Sequence, residues 1–342
     1  AYRAMLTQYH GFYETLFNAV QDSAPSGYAA AVLPGSVPFN SPPDRVGACT
    51  SRKNWGSLLS VIGLPCNYAK MPALPAMMTG ADVELFSDAD LKGLLINGLL
   101  LEGLAAEKLC QRGFSTEIGI SAEPWTGARV SCEKWGGVTL NPDVCYSRLR
   151  PLDPKVKIHS TLLHRKSGVS MDFTEVGPAV TLFENPSGGR VAVFAAAFGL
   201  NNTLSSFGFY DEDRKREILE LLQFVCGKPV EFYYPGDAEV YLKVRRFTDG
   251  RYLLAFFNLG HDELDVLPVI SAFNITNVEM IAQDGSWEQI DFADGCLQTP
   301  LFPAQPKIFR VTAAIELRAS GRGVRSKGGF VLDEKGANYE TC

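Results

Sequence analysis

The sequence has no excess of positive charge and no long apolar run, and each absence excludes a class of function. Its 342 residues carry a formal net charge of −6, whereas a nucleic-acid-binding protein needs a basic stripe to neutralise phosphates. No apolar stretch approaches the roughly 20 residues that a membrane-spanning helix needs. We therefore predict no nucleic-acid partner and no membrane insertion.

Closely spaced cysteines are also lacking. None belongs to a C-x-x-C pair or to a cluster with histidine, which are the spacings typical of zinc sites, so we predict no metal and no cofactor. Scattered thiols are typical of buried cysteines in a reducing compartment, which favours the cytoplasm; secretion with a few disulfide bridges is the alternative. The eight are Cys49, Cys66, Cys110, Cys132, Cys145, Cys226, Cys296 and Cys342.

What the sequence does contain indicates two domains, because a chain of this length exceeds one ordinary hydrophobic core. Apolar residues from Met5 to Val20 recur near helical spacing, which predicts an amphipathic helix. We interpret residues 1–26 as a helical linker from an upstream domain that the sequence lacks. The alternative is an N-terminal extension packed on its own domain.

An α/β domain is predicted for residues 27–228. Short apolar runs, typical of buried strands, alternate there with amphipathic patterns typical of helices, as in a parallel sheet covered by helices. Ser87 is expected to cap a helix that ends at Gly98, with a strand over residues 99–101. Residues 123–173 are less regular, which indicates inserted strands or long loops.

Two later features of this domain are turn signals rather than ligand sites. Gly188 and Gly189 lie between two apolar runs and are followed by no helix, so they predict a hairpin turn and not a phosphate-binding loop. Asp211 then opens a helix that ends at Gly227.

Beyond Pro229 the apolar spacing changes from helical to alternating, and Asp249 with Gly250 predicts a hairpin turn. We interpret residues 229–316 as a small antiparallel β-sandwich. Residues 317–342 are rich in glycine, arginine, serine and lysine, which indicates a disordered tail.

Several short segments of the sequence resemble the C-terminal half of bacterial β-galactosidase-like glycoside hydrolases. The order of the domains is nearest to that of glycoside hydrolase family 42. The segments are GLLLEG at 98–103, RGF at 112–114, NPSGGRVAV at 185–193, DGRYLLAFFNL at 249–259 and DGSW at 284–287. The resemblance implies a flavodoxin-like, class I glutamine-amidotransferase-like parallel sheet with helices, followed by the sandwich. It also implies subunit contacts through the first domain, in a homo-oligomer such as a trimer.

The catalytic glutamates of those enzymes lie on a barrel, and the sequence is too short to hold a barrel besides these two domains. Carbohydrate would be bound through that missing barrel. The turn after residues 99–101 also presents Glu102 and Gly103, with no cysteine, serine or threonine to act as a nucleophile. We therefore predict no catalytic residue and a non-catalytic oligomerisation or accessory role.

Two alternatives stay open at this point. The first is an independent amidotransferase-like hydrolase, in which Cys66 or Cys110 would act with His159, His164 or His261. Core packing is the favoured interpretation of both thiols. The second alternative is a free-standing carbohydrate-binding protein.

Three side chains are candidates for sugar or interface contact. Glu102 follows a strand, and ligands of open α/β sheets bind at the carboxyl ends of strands. The favoured interpretation is nevertheless a carboxylate that accepts backbone N–H groups of the following helix. No linear pattern shows that Glu102, Glu123 or Glu184 face each other, as glycoside hydrolysis requires. Trp125 and Trp135 lie in the irregular region, so sugar contact and subunit contact are equally open for both.

Overall fold

The computed structural model describes residues 7–31, 59, 62–69, 74–142, 145–167, 172–197 and 211–317. Its helices are α1 (His10–Gln21), α2 (Gly80–Val83), α3 (Asp88–Asn97), α4 (Gly103–Gln111), α5 (Ser115–Ile118) and α6 (Glu212–Cys226). None of these helices has the length and apolarity needed to cross a membrane. The predicted tail, residues 317–342, lies outside the described residues except for Leu317, which ends the last strand, and Cys49 and Cys342 also lie outside them.

The strands are short for the most part. They are β1 (Ser23–Pro25), β2 (Tyr28–Ala31), β3 (Cys66–Ala69), β4 (Ala76–Met78), β5 (Leu99–Leu101), β6 (Ile120–Pro124), β7 (Cys132–Trp135), β8 (Val138–Leu140), β9 (Ser147–Pro151), β10 (Lys157–Arg165), β11 (Phe173–Glu184), β12 (Arg190–Phe194), β13 (Phe232–Tyr233), β14 (Val240–Phe247), β15 (Tyr252–Asn258), β16 (Leu267–Pro268), β17 (Ile270–Ser271), β18 (Phe273–Ile281), β19 (Trp287–Gln289), β20 (Phe292–Ala293), β21 (Cys296–Leu297) and β22 (Lys307–Leu317).

Two compact units divide the chain. The mixed-sheet unit draws on residues 28–58 and 68–229, and the antiparallel unit on residues 1–27, 59–67 and 230–342. The antiparallel unit is thus discontinuous, whereas the sequence predicts consecutive domains. One reason is that β1 pairs with β14, which joins N-terminal residues to strands formed more than 200 residues later.

The mixed-sheet unit is built on nine strands in the order β3-β2-β4-β5-β12-β11-β10-β7-β8. Parallel pairing joins β2 to β4, β4 to β5 and β5 to β12. From β12 through β11, β10, β7 and β8, each pairing is antiparallel. The parallel strands β4 and β5 are buried along their whole length, as strands covered on both faces must be.

The predicted fold class is therefore wrong. A flavodoxin-like, amidotransferase-like parallel sheet covered by helices, followed by a small antiparallel sandwich, does not describe a structure with 43% strand, 22% helix and several mixed and antiparallel sheets. Helices lie between strands up to α5, and α6 is the one helix described beyond α5. After α5 the chain returns in hairpins, which include the nine-residue β10 and the twelve-residue β11.

Local turn and capping signals were more reliable. The turn between β11 and β12 is the predicted hairpin, and Gly188 has a φ of 83°, which favours glycine. The side chain of Asn185 accepts a hydrogen bond from the Gly189 N–H at 2.9 Å and donates one to the Leu95 carbonyl at 3.0 Å. The Ser87 hydroxyl caps α3 as predicted.

The antiparallel unit has a six-stranded sheet in the order β1-β14-β15-β22-β18-β19, with smaller sheets formed by β13-β17 and β16-β21-β20. The predicted hairpin at Asp249 and Gly250 joins β14 to β15 and is confirmed. Alternate residues of these strands point to a common apolar core. Its members include Phe232, Val240, Leu242, Leu254, Phe256 and Phe309.

Helix α1 packs on this same unit. The residues that alternate with the main core form a second apolar cluster with the helix, through Ala19, Leu253 and Ile308. The Thr15 hydroxyl also donates to the Gly285 carbonyl at 2.8 Å. Contacts within the antiparallel unit therefore explain part of the amphipathic pattern, through Phe12, Leu16 and Val20, whereas Tyr9 and Phe17 are exposed.

Replacing Gly11 by alanine tests how closely α1 approaches the turn at Asp284. Alanine favours a helix by about 1 kcal/mol over glycine, but a Cβ at position 11 would overlap the Asp284 carbonyl oxygen. We expect the free energy of unfolding to fall by about 1–3 kcal/mol, the usual cost of overpacking, in urea unfolding followed by circular dichroism. Asn18→Ala, at an exposed position of α1, is the control and should be neutral or stabilising. Equal stabilisation by both variants would contradict the close approach.

Candidate functional site

The carboxyl ends of the parallel strands are the first place to look for a site. Glu102 lies between β5 and α4 and is only 1% exposed. Its Oε1 accepts a hydrogen bond from the backbone N–H of Gly80 at 2.7 Å, and Gly80 is the first residue of α2. Glu102 thus accepts a backbone N–H as expected, but from the neighbouring connection, since its side chain makes no capping bond to α4.

A second buried carboxylate lies one turn further along α4. Glu107 accepts the hydroxyl hydrogen bond of Ser147, and both side chains are buried. The Gly103 N–H donates to the Ala196 carbonyl at 2.9 Å, and a Cβ at position 103 would overlap the Ala195 carbonyl. This edge of the sheet is therefore closely packed, and its carboxylates hold connections together.

The candidate thiols are held by backbone carbonyls. Cys110 lies inside α4, with its Sγ 3.5 Å from the Ile120 carbonyl, and the buried Cys66 Sγ is 3.5 Å from the Asn67 carbonyl. The Nδ1 atom of His164 lies 2.8 Å from the Arg129 carbonyl. None of these bonds pairs a thiol with the base that a cysteine nucleophile needs. Within the described ranges, no three potential ligands converge to hold a metal ion.

The most unusual arrangement is a buried charge cluster between α6 and the sheet. We define it by Glu133 on β7, Ser160 on β10, and Arg214 and Glu217 on α6, all at most 3% exposed. Arg214 donates to both carboxyl groups, through Nη1 to Glu217 and through Nη2 to Glu133. The Ser160 hydroxyl donates to the other oxygen of Glu133. The guanidinium also lies over the Phe194 ring, 5.8 Å from its centroid.

Two carboxyl groups surround one guanidinium, so the charge cluster is neutral only when one carboxyl is protonated. Burial, and then the charge of Glu133, raises the pKa of Glu217 well above its ordinary 4.5. Oε1 of Glu217 is buried and has no hydrogen-bond partner, so no protein donor stabilises a negative charge on that oxygen. Burial alone would lower the pKa of Arg214, but the two carboxyl groups raise it, so the guanidinium stays charged.

Sequence reasoning missed this cluster, although a signal was present. Arg214 and Glu217 share the helix face of Ile218 and Leu221, which are fully buried, because residues three and four apart lie on one face. A charged residue on the apolar face of a helix predicts a buried partner. The sequence offers no comparable signal for Glu133, which lies 81 residues from Arg214.

Trp135 borders the charge cluster and is 7% exposed. The guanidinium of Arg216 lies 5.4 Å from its ring centroid, and the His159 ring is 6.1 Å away. Burial lowers the pKa of His159 below its ordinary 6.5, although the charge of Glu133 opposes the shift. The contacts of Trp135 are therefore those of a packed side chain beside the helix.

Trp125 has different neighbours. Arg148 lies 5.4 Å from its ring centroid, the Tyr146 ring is 6.4 Å away, and its Nε1 donates to the Ala128 carbonyl at 2.9 Å. The two tryptophans share no ring or cation neighbour among these contacts. One face of the Trp125 ring is occupied by the guanidinium, which leaves that face unavailable for stacking.

The remaining carboxylate candidates do not converge with Glu102. Glu123 forms an exposed ion pair with Arg150 at 2.7 Å, and Glu184 lies 4.0 Å from Arg190 in another exposed pair. Glu102 is buried instead. The structure thus brings together none of the three carboxylates that were weighed for glycoside hydrolysis.

Comparison with known proteins places this fold. No protein-family model matches the chain, and no curated protein matches it either. Among solved structures, alpha-L-fucosidase isoenzyme 2 from Paenibacillus thiaminolyticus matches 88% of this chain with a TM-score of 0.57 and 12% identity. The fold is one found within a glycoside hydrolase.

The match covers only 51% of the fucosidase chain, so this protein spans about half the length of that relative. Two weaker likenesses are a beta-galactosidase from the psychrophilic Marinomonas ef1 and a GH42 beta-galactosidase from G. stearothermophilus. The first has a TM-score of 0.48 and 10% identity, over 90% of this chain and 41% of the other. The second has a TM-score of 0.46 and 11% identity, over 88% and 42%.

Proposed function

We propose that this chain is a non-catalytic, accessory portion of a carbohydrate-active glycoside hydrolase. The observation that carries the proposal is that four buried carboxyl groups are hydrogen-bonded to groups of the protein. Glu102 holds the N-terminus of α2, Glu107 holds Ser147, and Glu133 and Glu217 hold Arg214. Each of these four groups has a structural partner.

Glycoside hydrolysis makes other demands. It requires two carboxyl groups that face a substrate across a gap of roughly 5–9.5 Å, with one of them free to protonate the leaving oxygen. Carboxyl groups that are buried and bonded to protein donors cannot reach a glycosidic oxygen. The likeness to about half of an alpha-L-fucosidase supports a role beside a catalytic domain rather than as one.

A hydrolysis assay on the purified chain tests this proposal. We expect no release of nitrophenol from nitrophenyl β-galactoside or α-L-fucoside above a heat-denatured control. If turnover is found, Glu102→Gln and the exposed Glu123→Gln decide its origin. Turnover that is lost in Glu102→Gln but kept in Glu123→Gln would overturn the non-catalytic role.

Self-association is the second part of the proposal. The sequence resemblance to β-galactosidase-like enzymes supports a homo-oligomer such as a trimer, in which each interface would bury about 800 Å² per partner. Light scattering coupled to size-exclusion chromatography gives the mass in solution directly. A mass of 37.3 kDa at micromolar concentration would rule out a stable oligomer of this chain.

A further inference from the structure

Helix α6 is held on the mixed sheet by two kinds of contact. Its C-terminal half buries apolar side chains, among them Leu221, Leu222 and Val225. Its N-terminal half buries Arg214, Lys215 and Glu217 beside Ile218, and Arg214 bonds Glu133 on β7. The first turns are therefore attached by buried charge as well as apolar packing, whereas the later turns bury apolar side chains alone.

The ionisable surroundings of Glu217 come from each element packed around it. On β7 the group is Glu133, and on β10 it is His159, beside the hydroxyl of Ser160. On α6 itself they are Arg214, Arg216 and Glu220, and Tyr146 acts on Arg214 from the strand side. Arg214 is the one cation that bonds the two carboxyl groups among the described contacts.

We propose that Glu217 is a proton-operated latch, whose proton is required to hold the first turns of α6 on the sheet. With the proton in place, the charge of Arg214 is balanced by Glu133 alone and the charge cluster carries no net charge. Without it, two carboxylates compete for one guanidinium inside the protein. The free energy of the open form, in which Glu217 is solvated by water, is then lowered relative to the closed form.

The sign of the pH effect follows from proton counting. In the open form Glu217 ionises near its ordinary pKa of 4.5, whereas burial and Glu133 keep it protonated in the closed form well above that pH. Opening therefore releases one proton, and the open fraction rises about tenfold for each pH unit until the closed form ionises too. Alkaline pH releases the latch.

Hydrogen exchange of the backbone amides in residues 212–219 tests the latch. The useful window is pH 6.5 to 9.0, because His159 is neutral above 6.5 and Cys132 is protonated below 9.0. After division by the intrinsic exchange rate, we expect opening in the unaltered protein to rise about tenfold per pH unit. In Glu217→Gln, which keeps the size and the donor but cannot ionise, the opening should be independent of pH.

Glu212→Gln is the matched control, since it removes an exposed carboxylate from the first turn of the same helix. It should keep the full pH dependence. If Glu217→Gln does not fold, the infrared carbonyl band of a buried protonated carboxylic acid in the unaltered protein gives the second test. A flat exchange profile in the unaltered protein, a pH slope that survives in Glu217→Gln, or the absence of that band at neutral pH would overturn the latch.

Discussion

Replacing Arg214 by methionine is expected to lower the free energy of unfolding by about 3–5 kcal/mol at neutral pH, as for other buried ion pairs that lose one partner. The guanidinium is 3% exposed and bonds both Glu133 and Glu217. Without it the two carboxyl groups face each other with no cation. The loss should shrink between neutral and acidic pH, because protonation removes the buried negative charge that Arg214 had balanced. Urea unfolding across this pH range measures the effect.

The double variant Arg214→Met with Glu133→Gln tests whether charge balance is the cause. It leaves Glu217, which the proposed latch requires to be protonated, beside a neutral amide, so we expect it to recover much of the stability that Arg214→Met loses. Arg216→Met is the matched control on the same helix, since that side chain forms a less buried ion pair with Asp213. The control should cost about 1 kcal/mol or less. A double variant that is less stable than Arg214→Met would show that packing, not charge, decides the result.

The features that sequence predicted correctly are those fixed by a few neighbouring residues. The hairpin at Gly188 and the capping of α3 by Ser87 depend on residues within about four positions. Gly188 adopts the positive φ that the turn needs, and the Ser87 side chain accepts the backbone N–H of Asp90, three residues later. Both effects depend on nearby residues alone. Such signals keep their meaning whatever the rest of the chain does.

Strand direction could not be predicted in the same way. The apolar run Val191 to Phe194 lies in β12, which is parallel to β5 on one side and antiparallel to β11 on the other. The sequence of this run does not indicate the direction of either neighbour, because side chains alternate between the two faces in parallel and antiparallel pairs alike. The direction is decided by the partners of Val191, which are Phe183, 8 residues away, and Leu99, 92 residues away.

The candidate site shows the same division. The position of Glu102 at the end of a strand was predictable, but its donor is Gly80, 22 residues earlier. The aromatic residues Trp125 and Trp135 drew attention by type, yet their contacts are with protein side chains. Sequence analysis did not single out Glu217, although it lies on the apolar face of α6 with Ile218 and Leu221. Burial, which sequence alone reports poorly for charged residues, is what distinguishes it.

Replacing Phe309 by alanine should have a comparable effect on the antiparallel unit, lowering the free energy of unfolding by about 3–5 kcal/mol. Phe309 on β22 packs edge to face with Phe256 on β15, with ring centroids 5.9 Å apart, and both are fully buried. The truncation removes a large apolar surface, leaves a cavity and breaks an aromatic pair. Urea unfolding followed by circular dichroism is the measurement.

Phe302→Ala is the matched control for this variant, because it deletes the same atoms from a side chain that is 36% exposed in the same unit. Partial exposure means that less surface returns to water and that solvent can fill the space, so the loss should stay near 1 kcal/mol. A second control, Phe309→Leu, keeps most of the volume and should cost less than alanine. If Phe309→Ala and Phe302→Ala lost equal stability, the core of this unit would lie elsewhere than between β15 and β22.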